Sequence, residues 1–257
     1  MELKRILALL AVAGLALTAG CGQKSDDDDL MAMANNATKA AAVMGTASVA
    51  GTVSLTGKAP GVGVFSVDAD PVCKAQHSGM VKDETVIADA KGDLKNVLVY
   101  VKDGAGVYPA PAAEVDLDQK GCMYSPHVFG VQVGQPLEII NDDPTLHNVH
   151  CLAVINDSFN IGMPNQGMKS EKKFTKAEMP VKFKCDVHGW MHCFCGVFTN
   201  PFYAVTGENG SFKITGLPAG SYTFVAWQEK YGESAPQTVA IKDGEAKSVN
   251  FTFAATN

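Results

Sequence analysis

The chain has 257 residues, 46% of them hydrophobic, and its 27 acidic and 21 basic residues give a formal net charge of −6 at pH 7. This length accommodates more than one domain with its own hydrophobic core. The acidic balance argues against nucleic acid as a partner and favours docking to a basic protein surface.

The first twenty residues have the pattern of an export signal. A basic start is followed by an apolar run over residues 6–17 and by small residues at 18–20, directly before Cys21. The run is too short to cross a bilayer as a mature helix. The small residues before Cys21 resemble a bacterial lipoprotein signal, in which the cysteine is acylated; ordinary cleavage with an incidental Cys21 is the alternative. The resemblance implies an exported protein anchored on the periplasmic or cell-surface face of a bacterial membrane, and Gly22 favours the outer membrane.

Residues 21–47 predict a flexible tether between that anchor and the folded part of the chain. Four consecutive aspartates at 26–29 precede a stretch without strand or helix periodicity. Such a tether would let the folded part swing away from the membrane surface, and its acidic run is read as a solubilising spacer.

From residue 48 onward the sequence predicts an all-β protein. Apolar residues alternate with polar ones, and Gly, Pro, Asn and Asp punctuate the pattern. We assign residues 48–91 to the first strand and connector of one small β-sandwich, residues 92–200 to a second β domain, and residues 201–257 to the remainder of the first sandwich. Strands of the second domain are predicted at 96–101, 128–133, 136–141, 181–185 and 194–198.

Two short segments of the second β domain carry a set of metal ligands. His147 follows one strand-like run, and Cys185, His188 and Met191 lie together after another. One thiolate, two imidazoles and one thioether form the ligand set of a blue-copper electron-transfer site. Taken singly, a buried cysteine or methionine usually fills the core, so the joint spacing is what indicates copper.

These segments resemble the cupredoxin family, and plastocyanin-like domains in particular. The resemblance rests on residues 131–149 and 183–191 and covers residues 94–200. It implies a cupredoxin Greek-key β-sandwich or barrel that binds one copper ion per chain, with Asn148 holding the cysteine loop by hydrogen bonding. The ligands that the resemblance implies are His147, Cys185 and His188 in the equatorial plane and Met191 in the axial position.

The ligand loop departs from the family in one respect. Only Gly189 and Trp190 separate His188 from Met191, which is a shorter spacing than plastocyanin-like domains usually have. The axial position could therefore be empty, or be filled by His192 or a backbone carbonyl, instead of Met191.

The remaining cysteines are expected to form disulfides, because an exported protein meets an oxidising compartment. With Cys21 acylated and Cys185 bound to metal, five cysteines remain, an odd number. We expect Cys73 to pair with Cys122, since both precede the copper segments. The five candidates are Cys73, Cys122, Cys151, Cys193 and Cys195.

The last three of these cysteines lie near the ligand segments, and two alternatives are open for them. Cys151 could bridge to Cys193 or to Cys195. A second metal site near the first could instead be built from His150, His192, Cys193 and Cys195. His150 is not expected to bind the first ion, because His147 and His150 point to opposite faces of a strand.

After residue 200 the pattern changes to short strands around glycine-containing turns. Residues 206–227 resemble the small β-sandwich modules called carboxypeptidase-regulatory-like, of transthyretin-like type, and residues 48–57 resemble their opening strand. The cupredoxin part would then be inserted in this sandwich or packed tightly on it. Such modules resemble accessory binding or spacer domains, and a fold does not by itself define a function.

Together these features predict a membrane-tethered extracytoplasmic blue-copper protein that transfers single electrons. Its partner would be a redox protein such as a cytochrome or a membrane oxidoreductase, docking at the exposed edge of a ligand histidine. We expect a carrier and not an enzyme, since the sequence has no His-x-His pair of the type that multicopper oxidases use and no Cys-x-x-Cys-His haem motif. The alternatives are a copper-binding or copper-delivery lipoprotein and a surface binding module with a structural metal site.

Overall fold

The computed structural model describes residues 43–255 of the chain. This part contains twenty β-strands and one seven-residue helix, so the all-β prediction is confirmed. The predicted signal peptide, Cys21 and most of the predicted tether lie outside the described residues. Within the described range, no helix has the length and apolar character needed to cross a bilayer.

One sandwich, called here the terminal sandwich, is built from both ends of the described chain. Its strands are β1 (Ala47–Thr56), β4 (Leu98–Asp103), β14 (Tyr203–Val205), β15 (Ser211–Leu217), β16 (Gly220–Gln228), β17 (Gly232–Glu233), β18 (Gln237–Ile241), β19 (Ala246–Ser248) and β20 (Phe251–Ala254). In one sheet β1 pairs with β15, β19 and β20; the other has the order β14–β4–β16–β17, with β18 also paired to β16. The opening strand thus lies beside the C-terminal strands, as the pattern at residues 48–57 predicts.

The other sandwich, called the central sandwich, lies between these strands in the chain. Its strands are β5 (Val115–Lys120), β6 (Met123–Ser125), β7 (Val128–Gln132), β8 (Leu137–Asn141), β9 (His147–Cys151), β10 (Phe159–Met163), β11 (Met168–Lys172), β12 (Glu178–Lys184) and β13 (His192–Phe198). Its two sheets have the orders β10–β9–β12–β13–β7 and β11–β8–β5–β6. The pairs β13–β7 and β5–β8 are parallel, so the sheets are not a simple series of hairpins.

The structure moves one predicted boundary. We expected the strand at 96–101 in the second β domain, which was to begin at residue 92, but β4 pairs with β14 and β16 of the terminal sandwich. Residues Leu98 to Val101 are all buried, because β4 has the terminal core on one face and the other sandwich on the other. A run that is apolar on both faces does not indicate which sheet it joins.

The two sandwiches pack on each other through a small hydrophobic cluster of their facing sheets. Its buried members are Leu98, Tyr100, Val128, Phe198, Val225 and Trp227. Gly130 and Gly196 are partners in the β7–β13 ladder, and a Cβ on Gly130 would lie 2.5 Å from the Tyr203 ring. The missing side chain leaves room for Tyr203 to stack on Phe198, with ring centroids 4.7 Å apart. This contact fixes the sandwiches against each other.

The helix α1 (Pro71–His77) lies in the connection between β1 and β4, flanked by the two-stranded ladder of β2 (Val64–Ser66) and β3 (Met80–Lys82). Asp70 caps its N-terminus by accepting hydrogen bonds from the backbone N–H groups of Val72 at 2.7 Å and Cys73 at 3.2 Å. A disulfide joins Cys73 to Cys122 in the turn after β5. The helix is therefore tied to the central sandwich.

That disulfide is the pair that the sequence predicts, whereas the bridge from Cys151 to Cys193 or Cys195, one of the alternatives left open, is not formed. All three are buried thiols without a disulfide partner. Cys151 in β9 and Cys193 in β13 both lie opposite Phe183 of β12, so a whole strand separates them. Two strand spacings of about 4.8 Å exceed the reach of a disulfide.

A buried carboxylate, Glu178, organises the loop that follows β9. It accepts hydrogen bonds from the backbone N–H groups of Val154 at 2.6 Å and Asn156 at 2.9 Å, and from the Asn156 side-chain amide at 2.9 Å. Burial raises the pKa of Glu178, but these hydrogen bonds outweigh it and hold the pKa below its ordinary value of 4.5. A lowered pKa means that the carboxylate stabilises the fold above the pKa of the unfolded state and loses this contribution as the pH falls through the folded value.

We expect Glu178→Gln to lower the free energy of unfolding by about 2 kcal/mol at neutral pH, because it removes the charge and leaves one acceptor oxygen for three donors. The difference from wild type should shrink as the pH falls below 4.5. Urea denaturation at neutral and acidic pH measures both effects. Glu171→Gln, at an exposed ion pair with Lys173, is the control and should change stability little; an equal loss in both variants would contradict the prediction.

Candidate metal centre

Three of the predicted ligands converge at one end of the central sandwich. His147 begins β9, Cys185 directly follows β12, and His188 lies in the turn after it. Their ligating atoms all lie within 4.8 Å of one another. The two Nδ1 atoms of His147 and His188 are 2.9 Å apart, and Cys185 Sγ is 3.9 Å from His188 Nδ1. All three side chains are buried, so two nitrogens and one sulfur face each other in a pocket shielded from water.

Backbone hydrogen bonds explain how so short a loop returns to the sheet. The N–H of Cys185 donates to the Met191 carbonyl at 3.0 Å, and the N–H of Met191 donates to the His188 carbonyl at 2.9 Å. The N–H of His188 points at Cys185 Sγ at 3.3 Å. The Met191 side chain is fully buried in the same core as Cys185, and its thioether as axial ligand stays a prediction.

The structure places the alternative ligands elsewhere. His192 lies with His127 and Glu229, outside the pocket, and His150 pairs with Asp186 at 2.9 Å. Among the described residues, the alternative second site of His150, His192, Cys193 and Cys195 is not assembled. The reason is strand alternation, because neighbours such as His192 and Cys193 point to opposite faces of β13.

Each imidazole of the pocket is held from behind by a carboxylate. His147 Nε2 lies 2.9 Å from an Asp143 oxygen, and His188 Nε2 lies 3.2 Å from an Asp70 oxygen. An ionised carboxylate can only accept, so the Nε2 atom of each ring carries a proton. The Nδ1 lone pairs are then directed into the pocket. Metal-binding histidines commonly have such a partner, which fixes the tautomer and the orientation of the ring.

Asp143 is ionised at neutral pH. Burial raises its pKa, but hydrogen bonds from His147 and from the backbone N–H groups of Cys122 (2.7 Å) and Gly121 (2.9 Å) outweigh burial and lower the pKa to about 2.

Asp70 has both carboxylate oxygens in use. Oδ1 caps helix α1, and Oδ2 accepts from the Thr145 hydroxyl at 2.8 Å as well as from His188. Burial raises the pKa of Asp70, and these hydrogen bonds lower it to below its ordinary value. One carboxylate therefore couples the start of the helix to the pocket.

The surroundings of Cys185 favour its thiolate form. Burial raises the pKa of its thiol, but the adjoining His147 and His188 side chains and nearby backbone N–H groups outweigh burial and lower the pKa to about 6. The thiolate is the form that binds metal. Asn148 lies beside it, with Oδ1 accepting from the Asp186 N–H at 2.6 Å and 3.3 Å from Cys185 Sγ. Asn148 thus ties β9 to the cysteine loop, the position that the resemblance implies.

The exposed histidine edge that we expected is not present. His188 is only 3% exposed, because Asp70 and helix α1 cover its Nε2 side, with Cys73 Sγ 3.9 Å away. The Trp190 ring lies against the His188 ring at a centroid distance of 5.0 Å, and its indole N–H donates to the Cys122 carbonyl. Helix α1 therefore closes the pocket beside His188, and His147 is fully buried as well.

The sequence analysis did not find the two supporting aspartates. Asp143 carries a weak signal, since it lies four residues before His147 on the same segment. Asp70 carries none, because 118 residues separate it from His188. Only the packing of helix α1 on the ligand loop brings them together.

We expect Asp143→Asn to weaken copper binding by about 10- to 100-fold, because the amide no longer fixes the tautomer of His147 as an ionised carboxylate does. Competition titration against a Cu(I) chelator measures the affinity. Asp142→Asn, at an adjacent exposed carboxylate that pairs with Lys120 at 3.5 Å, is the control. Equal affinities in wild type and Asp143→Asn would show that the carboxylate does not support the ligand.

The C-terminal strands are similar to a known domain family. Residues 199–254 match the carboxypeptidase regulatory-like domain. The matched residues form β14 to β20 of the terminal sandwich, and β1 and β4, from outside the matched range, complete its two sheets. No curated protein matches the chain.

Solved structures similar to the chain include three copper proteins. A Cu-containing nitrite reductase from Thermus scotoductus SA-01 is 20% identical, with 37% of this chain and 25% of that chain covered and a TM-score of 0.32. The novel purple cupredoxin from Nitrosopumilus maritimus is 24% identical, with 33% and 98% covered and a TM-score of 0.28. A Cu(I) mutant of amicyanin is 18% identical, with 38% and 97% covered and a TM-score of 0.30. The chain thus spans a quarter of the nitrite reductase, and the copper assignment below depends on the residues of this chain alone.

Proposed function

We propose that this protein is a blue-copper electron carrier in which His147, Cys185 and His188 hold one copper ion and Met191 is a weak axial ligand. The observation that carries the proposal is the convergence of two histidine Nδ1 atoms and one cysteine Sγ within 4.8 Å in a buried pocket. Carboxylates hold both rings from behind, so the three donors are arranged before any ion arrives.

The donor set fits copper. A thiolate is a soft ligand that favours Cu(I), whereas imidazole also suits Cu(II). When bound, copper would supply a one-electron couple between these two states. Structural zinc sites also use cysteine and histidine, and the spectrum described below distinguishes the two metals.

The surrounding residues limit rearrangement of the ligands between oxidation states. Asp143 and Asp70 hold the imidazoles, and Asn148 holds the cysteine loop. Phe183 is fully buried beside Cys185 in the same core, and Trp190 covers His188. Ligands that are orientated by hydrogen bonds and shielded from water have little freedom to move, which favours fast electron transfer.

The partner in this proposal is a redox protein that docks near the ligand loops. Leu146 and Val187 directly precede the ligands His147 and His188 in the chain and are 44% and 49% exposed. Apolar side chains at these positions suit a transient protein contact. The net charge of −6 would steer the approach of a basic partner surface.

The lipid anchor and the location belong to the same proposal. Acylation of Cys21 would hold the protein on the periplasmic or cell-surface face of a bacterial membrane, with the predicted tether up to residue 47 as spacer. Mass spectrometry of the protein from membranes of an expressing bacterium tests this step. A mature N-terminus at a lipid-modified Cys21 is the expected result, and an unmodified N-terminus elsewhere would contradict the anchor.

The test of the copper site is an optical and redox titration of the purified protein. We expect an intense blue thiolate-to-copper absorption that saturates at one centre per chain, disappears with ascorbate and returns on reoxidation. Colourless protein that binds copper tightly only as Cu(I) would instead indicate a copper-delivery protein. If the protein binds no copper, a surface binding module is the remaining alternative. The burial of His188 beneath α1 disfavours delivery, because an ion passed to a partner needs an open ligand edge.

A further inference from the structure

A second group of metal-binding side chains lies where the two sandwiches meet. His127 directly precedes β7, His192 begins β13, and Glu229 follows β16 of the terminal sandwich. Their ligating atoms lie within 4.8 Å of one another. One Glu229 oxygen is 2.7 Å from His127 Nε2, and the other is 3.4 Å from His192 Nε2.

Both ring nitrogens of His192 face hydrogen-bond acceptors. Its Nδ1 lies 3.2 Å from the Trp190 carbonyl, and its Nε2 faces Glu229. A carbonyl and a carboxylate are both acceptors, so the Nε2 side of His192 suits a cation. A metal ion at Nε2 would supply a positive charge there while Nδ1 donates its proton to the Trp190 carbonyl in a hydrogen bond.

His127 has a similar arrangement. Its side chain is 3% exposed, and its Nδ1 has no hydrogen-bond partner, although a Glu84 oxygen lies 3.8 Å away. A small movement of Glu84 would let it accept a hydrogen bond from Nδ1–H, which leaves the Nε2 lone pair for an ion. Two carboxylates, Glu84 and Glu229, therefore face two imidazoles in a largely closed site. A divalent cation would neutralise the negative charge of the two carboxylates.

The site is also accessible. Glu84 and His127 line a groove of about 840 Å³ that is open to solvent. The groove therefore gives an ion a route to the His127 side of the cluster.

We propose that His127, His192 and Glu229 form a second metal site, which takes a divalent transition-metal ion through two imidazole nitrogens and a carboxylate oxygen. Such ligands suit Zn²⁺, Cu²⁺ and Fe²⁺. Since this site contains no thiolate and shares no residue with the first centre, the inference stands whether or not the blue-copper proposal holds.

The proposed ion would have a structural consequence. Glu229 comes from the terminal sandwich and the two histidines from the central one, so the ion would join the two sandwiches. Trp190 would connect this ion to the first centre. Its ring packs on His188, and its backbone carbonyl lies beside His192 Nδ1. The carboxypeptidase regulatory-like domain would then supply one ligand of a shared site and not act only as a spacer.

The experiment is metal titration of the full chain with Zn²⁺ alone and with Cu²⁺ alone, followed by elemental analysis. We expect two ions per chain. The Cu²⁺ protein should show, beside any thiolate-copper signal, an electron paramagnetic resonance signal with the wide hyperfine splitting of copper bound by nitrogen and oxygen. This measurement uses the wild-type protein. Binding of one ion per chain, without the nitrogen–oxygen copper signal, would overturn the proposal.

Variants assign the second ion to its ligands. In Glu229→Gln and in His192→Asn, we expect the stoichiometry to fall by one ion and the nitrogen–oxygen signal to disappear, while the first centre keeps its spectrum. His150→Asn is the matched control, since His150 also pairs with a carboxylate, Asp186, at 2.9 Å but lies outside the cluster. Retention of the second ion in Glu229→Gln and His192→Asn, or its loss in His150→Asn, would contradict the assignment.

Discussion

Replacing Cys185 by serine is expected to abolish the blue absorption of the copper-loaded protein and to weaken copper binding by more than about 100-fold, beyond the loss that follows removal of a supporting group. Cys185 supplies the thiolate of the cluster with His147 and His188. A serine hydroxyl is a hard donor that stays protonated at neutral pH, so it replaces neither the charge nor the softness of the thiolate. Optical spectra and chelator competition measure the two losses.

The matched control is Cys151→Ser. Cys151 is also a buried thiol, but burial raises its pKa to about 11, and it lies at the far end of β9 from His147. We expect this variant to keep the blue absorption. Colour retained in Cys185→Ser, or lost in Cys151→Ser, would show that Cys185 is not the metal thiolate.

The second large effect is expected from the disulfide between Cys73 and Cys122. Removing it in the double variant Cys73→Ala with Cys122→Ala should lower the free energy of unfolding by about 4 kcal/mol, because the bond closes a loop with a sequence separation of 49 residues in the unfolded chain. Guanidinium denaturation followed by tryptophan fluorescence measures the change. Cys193→Ala removes a buried thiol without opening a loop and should cost much less.

The same double variant should also weaken copper binding. Cys73 lies in the first turn of the helix that Asp70 caps, and the N–H of Cys122 donates to Asp143. The disulfide thus holds together the two segments whose carboxylates orient His188 and His147. If the double variant is destabilised but binds copper with unchanged affinity, the disulfide stabilises the fold without supporting the ligands.

The ligand loop could be predicted from sequence because its information is local. A thiolate and an imidazole three residues apart have Cα atoms no more than about 10 Å apart, so a tight turn between them is enough to bring their side chains together. The strand patterns before His147 and before Cys185 likewise predicted the sheets, since a period of two is a property of the segment itself. The Cys73–Cys122 pair followed from the small number of candidates.

The predictions that failed involved contacts between distant segments. Strand β4 joined the terminal sandwich because both of its faces are apolar, and Cys151 found no disulfide partner because β12 lies between it and Cys193. The expected exposed edge of a ligand histidine is absent at His188 because helix α1, with no copper-site pattern of its own, packs over it.

By itself the sequence determined the all-β class, the ligand types and their order along the chain, because hydrophobic periodicity and short spacings are local properties. The tertiary structure alone decided what surrounds those ligands. Asp70 reaches His188 across 118 residues, and Glu229 reaches His127 across 102. Such contacts depend on which strands become neighbours, which is a result of packing the whole chain and cannot be seen in any one segment of it.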